Sequence, residues 1–201
     1  VALDEKFAEA FVNLDYHRVL SYKLKPFSLW HRFLLEFLDS PLITGGNADV
    51  NSILQAIQVC RSSFPKFPDK QGFLGKLRLL INTFNPEEEG TKFAKYVEDY
   101  AAFPELWNKS DEESKKSSAP ETLSMAVQLI ELGFTESQAW DMPIGKAFWY
   151  TSISAHLKGA DIDFVTQEER EMNANKDQIL ADMRKAEAEM KAKMKEAKNG
   201  I

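Results

Sequence analysis

Cysteine is nearly missing from this sequence. Cys60 is the one thiol, so no disulfide can form within the chain, which suits a reducing compartment. Long apolar runs are missing too: no stretch approaches the roughly 20 consecutive apolar residues of a membrane-crossing helix. The opening residues, Val1-Ala2-Leu3-Asp4-Glu5-Lys6, lack a basic region followed by an apolar run, so no signal peptide is predicted there. Positive charge is in deficit, with 25 Lys and Arg against 31 Asp and Glu. A net charge of −6 gives no general attraction to nucleic acid or to an anionic membrane.

Histidine is scarce and scattered. His17, His31 and His156 stand at no metal-ligand spacing with one another or with Cys60. No phosphate-binding P-loop or dinucleotide glycine fingerprint is present, and Gly45-Gly46 reads only as a turn. A G-x-S-x-G elbow is also lacking. Asp161 and Asp163 are too few for a calcium loop. These absences predict no catalytic residue, no metal and no cofactor.

What is present is helical periodicity. The chain has 201 residues, 44% of them hydrophobic, long enough to bury a sizeable core without staples. Leu3, Phe7, Phe11 and Leu14 form a first stripe, which Lys25-Pro26 is expected to end. Ser28 is the expected N-cap of a second helix carrying Trp30, Phe33, Leu34, Phe37 and Leu38. Ser40-Pro41 stops that helix, and Thr44-Gly45-Gly46-Asn47 reads as a turn. A third helix starts near Asp49 with Val50, Ile53, Leu54 and Ile57 on one side. After Pro65 and Pro68, Phe73, Leu77, Leu80 and Phe84 mark a fourth.

Asn85-Pro86-Glu87-Glu88 is a strong helix start, with a cap, a first-turn proline and acidic residues that complement the dipole. Phe93, Tyr96, Val97 and Tyr100 should then face the core. Composition changes at 105–119, where Asn108 to Ala119 holds no large apolar residue. That stretch reads as a polar linker with a short helical turn near Ser110. Its Lys115-Lys116 pair is too small a basic cluster to argue for nucleic acid.

Ser118 to Glu121 reads as a capping box, followed by a stripe of Leu123, Ala126, Val127 and Ile130, with Gly133 as C-cap. Thr135 to Gln138 opens a short helix, and the next, from about 143 to 158, is apolar over much of its circumference. Its Phe148-Trp149-Tyr150 run therefore reads as core rather than as a base-stacking platform. Asp161 to Val165 could form a very short strand.

The chain end differs in kind. Thr166 to Glu169 is a capping box, and a charged segment follows with no helix breaker before Gly200. Ile179, Met183, Ala186 and Met190 form a narrow stripe on it near the coiled-coil period. Such a stripe is too narrow for a core-facing helix, and methionine adapts to irregular surfaces. These four residues are the candidate partner-binding site. The expected architecture is all-α: a multi-helix bundle with a long C-terminal helix. Its parts are an N-terminal helical domain over 1–104, a polar linker over 105–119, a helical subdomain over 120–165 and a charged amphipathic helix over 166–201.

Two segments carry a family resemblance. Leu24 to Gly46, LKPFSLWHRFLLEFLDSPLITGG, and Leu129 to Tyr150, LIELGFTESQAWDMPIGKAFWY, paired in this order, resemble proteins encoded among the tail genes of tailed bacteriophages and prophages. The resemblance covers about half the chain and rests on structural motifs. It implies a non-enzymatic tail assembly chaperone that binds the tape-measure protein and helps recruit tail-tube subunits. It also implies a location in the bacterial host cytoplasm or with the virion, partners that are proteins rather than nucleic acid or membrane, and a homo-oligomer as an open option. A structural tail or neck component is the alternative within that setting. From another class, Leu132-Gly133-Phe134 between two helical segments is similar to the loop of a ubiquitin-associated binding module. The Met142-Pro143 pair and the long aromatic helix after it depart from that pattern.

Overall fold

Phe7 and Phe11 stack at 4.4 Å between ring centres on α1 (Glu5–Val12), as their spacing predicts. The helix stops well before Lys25-Pro26. In the computed structural model, which describes residues 5–12, 17–46, 49–67, 85–108, 119–176 and 183–185, the chain instead enters an antiparallel hairpin. Its strands are β1 (Arg18–Val19) and β2 (Tyr22–Lys23). The turn residues Leu20 and Ser21 have φ of 50° and 64°, the left-handed region that two-residue hairpin turns require. Neither residue favours that region. The carboxylate of Glu89 offsets the strain by accepting the Leu20 N–H at 2.7 Å. With no Gly or Asn at the turn, the hairpin carried no sequence signal, and the expectation of an all-α chain is corrected here. Among the described residues the protein is mostly helical, with two small two-stranded sheets.

Helix α2 (Leu29–Phe37) starts at Ser28, as its cap predicts. The Ser28 hydroxyl accepts the His31 N–H at 3.4 Å, and the Ser28 N–H donates to Nδ1 of His31 at 3.2 Å. A buried histidine thus fills the place usually taken by Glu in a capping box. Pro41–Thr44 adds a single turn, α3, closed by Gly45 at φ 84°. Asp49 caps α4 (Val50–Cys60), whose Ile53, Leu54, Ala56 and Ile57 are buried.

Asn85 caps α5 (Pro86–Tyr100) by accepting the Glu87 N–H at 3.1 Å. Phe93, Tyr96 and Tyr100 enter the core, and Val97 packs against it, in the expected phase. The segment expected to carry Phe73, Leu77, Leu80 and Phe84 lies outside the described residues, as does the turn expected near Ser110.

Leu106–Asn108 (β3) and Ile162–Phe164 (β4) form the second sheet. Part of the expected linker is therefore strand. Between these strands run α6 (Glu121–Glu131), α7 (Glu136–Trp140) and α8 (Ile144–Leu157). Pro120 occupies the N-cap of α6 and makes no side-chain cap bond; Ser118, the expected cap, lies outside the described residues. Thr135 opens α7 as expected, in a capping box with Gln138, and Gly133, at φ 98°, closes α6.

The phase of α6 is not the expected one. Thr122, Met125, Ala126 and Leu129 are buried, while Leu123, Val127 and Ile130 are exposed.

Helices α2 and α8 begin at one joint. Ser28 and Pro143 form an antiparallel bridge; the Leu29 N–H donates to the Met142 carbonyl at 3.1 Å and the Ile144 N–H to the Phe27 carbonyl at 2.9 Å. Gly145, in the first turn of α8, lets that helix abut the end of α5. A Cβ there would sit 2.7 Å from the Tyr100 carbonyl oxygen. One turn later Trp149, 5% exposed, donates its indole N–H to the Ala102 carbonyl at 3.0 Å. Leu157 is exposed at the far end.

The chain divides into two units, 1–163 and 164–201. In the second, Thr166 caps α9 (Gln167–Ala174) in a capping box with Glu169, as predicted. The helix closes at Asn175, and residues 183–185 are again helical. A single long C-terminal helix is not shown.

Candidate protein-binding surfaces

Chemistry-bearing side chains sit mainly in structural roles. Cys60 is fully buried, and burial pushes its thiol up to about 12, opposed by a hydrogen bond with Tyr96. A thiol held there is protonated and a poor nucleophile. The Tyr96 hydroxyl donates to the Lys25 carbonyl at 2.7 Å, and burial raises its pKa well above the ordinary value.

Burial lowers the His31 pKa to about 4, against the raising influence of the Ser62 carbonyl. The neutral ring accepts at Nδ1 from the Ser28 N–H and donates at Nε2 to the Ser62 carbonyl at 3.1 Å. This assigns the proton to Nε2. His31 thereby ties the start of α2 to the segment after α4. His156 places Nδ1 2.8 Å from the Ile162 carbonyl.

His17 approaches Asp99, Nε2 to Oδ2 at 3.1 Å, and packs edge-on against Tyr96 and Tyr100. A cleft of about 530 Å³ lies nearby, lined by the acidic residues Glu9, Glu98, Asp99 and Glu105 and by the 101–104 segment. A histidine oriented by a carboxylate is part of a nucleophilic triad, but no serine or cysteine is among the described residues that line the cleft. Among the described residues no group of three or more His, Cys, Asp or Glu is placed to hold a metal ion. No described helix is long and apolar enough to cross a membrane.

The aromatic run of α8 packs inward. Phe148 meets Phe103 at 4.6 Å, Trp149 meets Phe7 edge-on at 5.3 Å, and Tyr150 lies between Phe11 and Phe134. The Gly133-Phe134 loop is a helix-closing device: the Phe134 N–H returns to the Leu129 carbonyl at 3.1 Å, with the ring against Tyr150 at 5.3 Å.

Among the described residues of the first unit, two clustered apolar surfaces face outward. One is aromatic. Trp30 and Trp140 meet at 5.8 Å with Phe33 and Phe64 against them; Phe37 and Phe67 continue the cluster and are 67% and 55% exposed. The Trp30 indole N–H, buried among these rings, meets no acceptor among the described residues. The other surface is aliphatic: Leu123, Val127 and Ile130 on α6, each more than 40% exposed.

Sequence reasoning named neither surface as a site. The aliphatic residues were assigned to the core stripe of α6, and the aromatic cluster joins residues from three separate segments. Of the predicted partner-binding residues, Met183 is 64% exposed on helical backbone. Ile179, Ala186 and Met190 lie outside the described residues. In α9, Met172 is also exposed.

The two segments that carry the phage-tail resemblance meet in the fold. The Ser28–Pro143 bridge and the contacts of Trp140 with Trp30 and Phe33 join them. No family model, curated protein or solved structure matches the chain.

Proposed function

We propose that the chain is a non-enzymatic protein-binding factor of tailed-phage assembly: a tail assembly chaperone that binds the tape-measure protein and helps recruit tail-tube subunits. The observation that carries this reading is the joint at Ser28 and Pro143. The two resembling segments, far apart in sequence, build one structural feature there, as a shared ancestral fold would require. The second support is exposed apolar side chains on helical backbone, Met183 among them, which suit a helical client. The client-contacting stripe on this reading is Ile179, Met183, Ala186 and Met190. Neither nucleic acid nor membrane is a partner, and the protein acts in the host cytoplasm or stays with the particle.

The test is co-expression with the tape-measure protein of the phage or prophage that, on this reading, encodes the chain. The full chain should keep the tape-measure protein soluble and co-purify with it, and a chain ending at Thr166 should stay folded and lose it. A folded, truncated chain that still holds the client would move the site elsewhere. A full chain that leaves the client insoluble but is found in purified particles would favour the structural tail or neck component instead.

A further inference from the structure

We draw no further inference here: the strongest candidate, the outward-facing aromatic cluster that Phe33 and Phe37 of α2 form with Phe64, Phe67 and Trp140, is an apolar face for which nothing in the structure shows what covers it.

Discussion

Helices α6 and α8 are separated in sequence by the short α7, and each carries more apolar surface than one face can hold. Their fates differ. In α8 the excess is used: Gly145 lets the backbone of 100–102 come close, Trp149 reaches the Ala102 carbonyl, and Phe148 and Tyr150 find other rings. In α6 the excess stays outside, on Leu123, Val127 and Ile130. Apolar count alone cannot separate the two helices. The difference is whether the fold brings a second neighbour, and for α8 that neighbour is the chain leaving α5, recruited by a missing Cβ.

The sharpest way to break the contrast is to remove what α8 gains. Trp149→Ala should cost about 3–5 kcal/mol in chemical denaturation, the usual loss for a packed large aromatic. A loss below about 1 kcal/mol would put α8 on the same footing as the outer row of α6.

Acid should act next in size, through the joint that positions α8. The Ser28 N–H is held by a neutral His31, whose pKa of about 4 lies below its ordinary 6.5. Between those values the unfolded chain binds the proton that the folded chain refuses. Stability is therefore complete above about pH 6.5 and falls by about 3 kcal/mol as the pH approaches 4. His31→Gln should flatten this part of the pH–stability profile. An unchanged profile would remove His31 from the joint's energetics.

Gly145→Ala should cost about 1–3 kcal/mol, because the new methyl meets backbone rather than a movable side chain. A neutral result would mean that α8 can shift away from the 100–102 segment. Least of all, Val127→Ser should change stability by no more than about 0.5 kcal/mol. A larger loss would show the outer row buried after all, and the contrast with α8 would vanish.

Much of this architecture was legible in the sequence where local rules govern. Ser28, Asn85 and Thr166 each cap the helix they were expected to cap, and Asp49 and Thr135 cap helices expected to start near them. A cap is chemistry between residues a few positions apart, so the sequence contains all of it. The burial of Trp149 was legible because apolar residues surround it on its own helix.

Two things were hidden for physical reasons. The hairpin over 18–23 depends on a left-handed turn at Leu20-Ser21 that Glu89, far along the chain, makes tolerable. The phase of α6 was misread because its buried row, Thr122, Met125, Ala126 and Leu129, includes a threonine and an alanine and is less apolar than its exposed row. Hydrophobic periodicity finds the greasiest side of a helix, and on α6 that side is not the one facing the core. The same inversion concealed the exposed aliphatic row of Leu123, Val127 and Ile130.

The bridge between Ser28 and Pro143 also bears on how the chain reaches its native state. Its two backbone hydrogen bonds reward contact only after most of the polypeptide between them has been brought into a closed loop, an entropic cost that grows slowly with length but comes before any gain. Helices α2 and α8 can each form by local contacts, whereas their common starting point cannot. The joint is thus expected to close late, after the helices on either side have taken shape, and mutations there should speed unfolding more than they slow folding.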